Sequence, residues 1–149
     1  MKKIAIVASG GGMSCAYSVG VILALVDKYK LTNPYIVIGG SGSTGTLAYY
    51  VAEQYKEVKN IWENLLSTKK FVSLARPQRI MDIDYLIDEV FKKQEPLDIQ
   101  KIRQSSIKFL ISATNLETGK LEYFNNHDGL DTFELLRASS AIPIAFNKS

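Results

Sequence analysis

The chain has 149 residues, 46% of them hydrophobic and 22% charged, with 4 Pro and 10 Gly; this excludes disordered, collagen-like and low-complexity chains and leaves one folded domain with a sizeable core. A net charge of +3, without a clustered basic stretch, gives no support to nucleic-acid binding. One Cys and one His exclude an internal disulfide and a structural zinc site, and the lone thiol suits the reducing cytoplasm.

Met1-Lys2-Lys3 and the apolar residues 4–8 imitate the start of a signal peptide, but the run breaks at Ser9-Gly10-Gly11-Gly12, short of an h-region. Residues 3–8 therefore predict a short strand buried on both faces. Residues 16–29 are apolar nearly all round until Asp27-Lys28, which predicts a mostly buried helix, with Gly20 explained by close packing against a neighbour. Its apolar part, residues 16–26, is far short of the ~20 residues that span a bilayer. No transmembrane helix is expected.

After Asn33-Pro34, residues 35–38 predict a second buried strand, followed by Gly39-Gly40-Ser41-Gly42-Ser43-Thr44-Gly45 and a helix over about residues 46–54. Strand, glycine turn and helix thus occur twice. Val58, Ile61, Trp62, Leu65 and Leu66 fall at helical spacing with Trp62 toward the core, and Ile83, Leu86, Ile87, Val90 and Phe91 repeat the pattern behind Asp82 as N-cap. Residues 107–113 and 121–124 predict a hairpin around Glu117-Thr118-Gly119-Lys120, and Asp131 with Glu134 predicts a capped helix through Ala138. Beyond it, residues 139–146 are expected to turn back toward the sheet, with a new strand near residues 144–146. Alternating strands and helices predict an α/β domain with a largely parallel sheet and no internal repeat.

Two turns could carry chemistry. A serine nucleophile needs a tight, strained turn flanked by small residues. Ser43, with Ser41 two residues before it and Gly45 two after, fits a G-x-S-x-G-like turn whose first glycine is serine. Ser41, Gly42, Thr44 and Gly45 complete that turn, and Ser41, followed two residues on by Ser43, is the weaker nucleophile on this count. The helix that follows would aim its N-terminal N–H groups at a developing oxyanion. The first turn, Gly10-Gly11-Gly12-Met13, could form an amide nest for an anion, and in a parallel sheet both turns share one edge.

Rival readings are weaker. A P-loop needs a lysine after its last glycine, where this chain has Thr46, and a dinucleotide site needs an acid where the second strand ends in Gly39-Gly40. Cys15 reads as a small packing residue. His127 lies in the polar stretch Asn125-Asn126-His127-Asp128-Gly129 and reads as a solvated loop histidine, and Ser139 and Ser140 read as turn or packing residues.

In order and spacing, Gly10-Gly11-Gly12, the apolar helix with Gly20-Val21, Ser41-Gly42-Ser43-Thr44-Gly45, Ser112-Ala113-Thr114-Asn115 with Thr118-Gly119-Lys120, and Arg137-Ala138-Ser139-Ser140-Ala141-Ile142-Pro143 resemble the patatin-like phospholipases. The resemblance implies a three-layer α/β/α sandwich and a Ser-Asp dyad that hydrolyses fatty-acyl esters through an acyl-enzyme, with no metal or organic cofactor. It puts the nucleophile at Ser43 and the oxyanion hole at Gly10, Gly11, Gly12 and Met13. The family's glycine loop commonly continues with Arg or Lys and then Gly, where this chain has Ser14 and Cys15.

The dyad aspartate of such proteins follows the Ala-Ser-Ser-Ala-Ile-Pro segment, whereas Asp128-Gly129 precedes it. The expectation is a domain over residues 1–149 cut before that aspartate and inactive alone. A lipid or acyl-ester substrate, met by peripheral membrane contact in the cytoplasm, is the implied partner. The alternative is a non-catalytic lipid- or anion-binding domain on the same scaffold.

Overall fold

The computed structural model describes residues 3–76 and 79–141. β1 (Ala5–Ala8), β2 (Ile36–Gly40), β3 (Lys108–Thr114) and β4 (Leu121–Asn125) form one sheet in that order. The first three strands run parallel and β4 runs antiparallel to β3. The α/β class with a mostly parallel sheet thus holds.

Register decides which side chains share a face. Ile6, Val37 and Phe109 align, as do Ala8, Gly39, Ile111 and Phe124, and this face carries the core, with Val37, Phe109 and Ile111 buried. Against it pack α2 (Gly42–Val51) and α5 (Thr132–Ser140), and α1 (Ala16–Tyr29), α3 (Tyr55–Asn60) and α4 (Ile99–Gln104) gather around α2. The other face, with Val7, Ile38 and Leu110, has no described helix over it. No helix among the described residues is long and apolar enough to cross a membrane.

The sheet edge overturns two expectations. β1 is not buried on both faces: among the described residues it pairs on one side only, and Val7 is 70% exposed. In α1 only Val19 and Ile22 are buried, and Tyr17 is 80% exposed. A Cβ on Gly20 would meet nothing within 4 Å, so close packing does not explain that glycine. Apolar composition forecasts burial only where a neighbour exists to supply it.

Local signals elsewhere fared well. Asp82 Oδ1 accepts the N–H of Tyr85 at 3.0 Å, and Asp131 Oδ1 accepts those of Phe133 and Glu134, so both predicted caps form. The amphipathic run from Val58 splits into α3 and a wider-wound π segment, Ile61–Leu65, and the run behind Asp82 also winds as a π-helix over Tyr85–Gln94. Trp62 is half-buried, its Nε1 donating to Thr46 Oγ1 at 3.1 Å. The predicted hairpin forms, with Asn115 Oδ1 accepting from the amides of Glu117 and Thr118 in its turn. The helix start expected at residue 46 lies earlier, at Gly42, and α4 was not foreseen. Ile142-Pro143 and the strand expected near residues 144–146 lie outside the described residues.

Candidate functional site

β1 and β2 run parallel, so their C-terminal ends bring the Gly10–Gly12 loop and the Ser41 turn to one sheet edge, as expected for a binding crevice. A Cβ built on Gly10 would lie 2.8 Å from Ser41 Cβ, and one on Gly42 would lie 3.2 Å from the Gly12 carbonyl oxygen. Only glycine at position 10 lets the loop approach Ser41 this closely. Among the described residues the N–H groups of Gly10 and Gly11 meet no acceptor. The loop then closes into a single 3₁₀ turn, Gly12–Cys15, in which Ser14 donates from both its amide and its hydroxyl to the Gly11 carbonyl, at 3.1 and 2.8 Å. Met13 is partly exposed. Cys15 is 2% exposed and its thiol points at the Ser9 carbonyl, 3.8 Å away; it packs the loop, as read.

The second turn differs from expectation at its apex. The chain bends at Ser41, between the last residue of β2 and the first of α2, with φ 51° and ψ −131°. Positive φ in a non-glycine residue is uncommon, and the other two examples among the described residues, Lys30 and Glu53, follow the ends of α1 and α2, where left-handed residues are usual. Ser41 has no such ordinary cause. Strain of this kind costs about 1–3 kcal/mol and persists only where the surroundings enforce it.

Those surroundings are identifiable. The Ser41 N–H donates to Ser139 Oγ at 3.0 Å, and that same hydroxyl is 3.0 Å from Thr44 Oγ1. The Thr44 amide in turn donates to the Ser41 carbonyl at 2.9 Å. Ser139 sits on α5, which Arg137 clamps to the Tyr85–Gln94 helix through Asp84 and through both oxygens of Asp88, at 2.9 and 3.0 Å. The hydrogen bond from Lys92 foremost, and those from Arg137, hold the Asp88 carboxyl below its usual range against the opposing effect of burial.

Ser43 occupies a different place. It is fully buried in the first turn of α2, and its hydroxyl donates to the Ser9 carbonyl at 2.7 Å, with Ser18 Oγ at 3.3 Å. The Ser41 hydroxyl, half-buried beside the glycine loop, makes no hydrogen bond among the described residues. His127 and Asp128 are exposed just past Asn125, which pairs with Leu110 near the start of β3. They stand at the opposite sheet edge, roughly a strand length of ~15 Å away. Neither serine has a described carboxylate or imidazole within hydrogen-bond reach.

Two features escaped the sequence reading. Counting glycines put the apex at Ser43, but the strand ends at Gly40, and the residue directly after a buried strand was the available signal for Ser41. Ser139 gave no signal, because its bond to Ser41 spans 98 residues.

A family model described as patatin-like phospholipase matches residues 6–149. No curated protein and no solved structure matches the chain.

Proposed function

The chain belongs to the patatin-like phospholipase family, and from that premise we propose a lipid acyl hydrolase whose nucleophile is Ser41 rather than Ser43. The observation that carries the assignment is the strained backbone of Ser41, φ 51° and ψ −131° at a strand–helix turn, which is the local geometry that lifts a serine hydroxyl into a cleft. The committed hydroxyl of Ser43 supports it: attack from there would first break a buried 2.7 Å hydrogen bond and leave the Ser9 carbonyl with only the 3.8 Å contact of the Cys15 thiol.

In this reading Ser41 Oγ attacks the ester carbonyl carbon and its proton passes to the dyad aspartate, which the family resemblance puts after the Ala138-Ser139-Ser140-Ala141-Ile142-Pro143 segment. The N–H groups of Gly10 and Gly11, with Gly12 and Met13 beside them, receive the tetrahedral oxyanion, and the positive end of α2 favours the same charge. Collapse returns the proton to the leaving alcohol, and water repeats the sequence on the acyl-enzyme. The reaction calls for no metal or organic cofactor. The setting is the cytoplasm, with the lipid met at a membrane surface by peripheral contact.

The test is labelling by a serine-directed fluorophosphonate, applied to the full-length protein and read by peptide mass. Label on Ser41, lost in Ser41→Ala and kept in Ser43→Ala, is the expected outcome, together with loss of p-nitrophenyl ester turnover by at least about a thousandfold in Ser41→Ala. Label on Ser43 would return the nucleophile to that residue. A folded full-length protein that takes no label would favour the non-catalytic lipid- or anion-binding domain.

A further inference from the structure

Ser43 is fully buried in α2, yet its hydroxyl donates across to the end of the first strand, where the Ser9 carbonyl accepts at 2.7 Å. A hydroxyl carries one proton, so this bond commits it and leaves Ser18 Oγ 3.3 Å away. We infer that Ser43 is a positioning residue of the glycine loop: by holding the Ser9 carbonyl inward, it turns the Gly10 N–H outward to where the oxyanion forms. The inference rests on the acyl-hydrolase reading and adds a residue to its machinery.

Three observations carry it. The first is the geometry of one peptide unit. The Ser9–Gly10 bond is trans, and in a planar trans peptide the C=O and N–H point to opposite sides. With the oxygen drawn against the first turn of α2, the Gly10 N–H leaves on the far side. It meets no acceptor there among the described residues, and Gly10 and Gly11 are both exposed.

The second is the softness of the loop. Position 10 requires glycine, because a Cβ would lie 2.8 Å from Ser41 Cβ. Glycine accepts either sign of φ at little cost, so Gly10 does not itself keep the Ser9–Gly10 peptide from turning over. A turned peptide would set a carbonyl oxygen where a donor is needed and would repel the developing charge. Downstream, the Gly11 carbonyl is held by Ser14, but the Ser9 carbonyl depends on Ser43. Cys15 adds little, since its thiol is a weak donor 3.8 Å from the same oxygen.

The third is the position of the hydroxyl. With the apex at Ser41, the G-x-S-x-G pattern runs from Gly39 to Ser43, so serine takes the place of its last glycine. Glycine there would have no side chain to make the bond. Because Ser43 and Ser41 share one turn, the bond fixes the loop relative to the nucleophile itself.

The experiment measures kcat and KM of the full-length protein on a p-nitrophenyl ester, with active sites counted by fluorophosphonate titration. It adds inhibition by an alkyl trifluoromethyl ketone, which a serine converts to an oxyanion adduct, and by the matching methyl ketone, which stays uncharged. Losing a whole oxyanion donor costs about 10²–10³ in kcat, and losing only its tether should cost less. Expected for Ser43→Ala and Ser43→Gly is a fall in kcat of about tenfold with KM unchanged. Trifluoromethyl ketone inhibition should weaken by the same factor and methyl ketone inhibition should not change. Fluorophosphonate still lands on Ser41, more slowly. Ser43→Thr, which keeps the donor, should return kcat to within about threefold of the parent protein.

Parent kcat in both Ser43→Ala and Ser43→Gly overturns the proposal. So does a loss that weakens the methyl ketone equally, or one that Ser43→Thr does not restore. In each case label on Ser41 leaves the hydrolase reading standing. A parent protein that takes no label on Ser41 overturns that reading, and the role of Ser43 falls with it.

Discussion

Two strand–turn–helix units lie side by side at one sheet edge, built on one plan and finished in opposite ways. In the first, β1 is half-open to solvent, the loop leaves two glycine amides without acceptors among the described residues, and α1 buries only Val19 and Ile22. In the second, eight residues of α2 are buried, and the apex is strained and held from α5, 98 residues away. Under the proposed chemistry the difference has a use. Amides that receive an oxyanion need open space in front of them, whereas a nucleophile must be held to a fraction of an ångström.

Removing the clamp on the second unit should do the most damage. Arg137→Met removes the cation that Asp84 and Asp88 share and leaves Asp84 with Arg79 and Asp88 with Lys92. Because those carboxylates are 23% and 42% exposed, the expected cost is about 2 kcal/mol, below the roughly 3–5 of a fully buried broken pair. Urea denaturation measures it. The pH dependence carries a second sign: Asp88 titrates below its usual 3.8, so its contribution is complete above that value and is lost as pH falls through the lower folded value. Arg137→Met should make stability fall less steeply in that acid window.

Gly10→Ala attacks the point where the units touch. Its new methyl would lie 2.8 Å from Ser41 Cβ, and relief of that overlap should cost about 1–2 kcal/mol. The displacement falls on the glycine amides and on Ser41, so fluorophosphonate labelling should slow by about tenfold to a hundredfold. Unchanged labelling would mean that the two turns do not cooperate.

What was legible in the sequence follows the range of the interaction. Asp82 and Asp131 cap helices within three residues of themselves, and the β3–β4 hairpin closes through Asn115 over two or three. Such signals depend on little else. α4 was missed because a six-residue helix holding only Ile99 and Ile102 as apolar residues has too short a period to register. Whether Val7 or Tyr17 is covered depends on neighbours across the sheet, which four or five apolar letters do not specify. The motif reading found the second turn and centred it on Ser43, whereas the residue with positive φ is Ser41, directly after the strand, and Ser43 buries its hydroxyl on the Ser9 carbonyl.

Ser139→Ala tests the brace with a smaller perturbation. It removes the acceptor of the Ser41 N–H, a loss of about 1 kcal/mol. A merely structural loss would leave turnover per folded molecule alone. A positioning role predicts that kcat falls severalfold with KM unchanged, and that Ser139→Thr, which keeps the hydroxyl, restores it.

Gly20→Ala should have the smallest effect and the opposite sign. Gly20 lies inside α1 with no atom within 4 Å of where a Cβ would stand, so alanine adds helix propensity and meets no obstruction. The expected gain is about 0.5–1 kcal/mol, a rise of about 2 °C in Tm, with labelling at Ser41 unchanged. A loss of stability instead would mean that a neighbour packs against Gly20 in the full-length protein. The first unit would then be as enclosed as the second, and the contrast between an open amide loop and a braced nucleophile would fail at its open end.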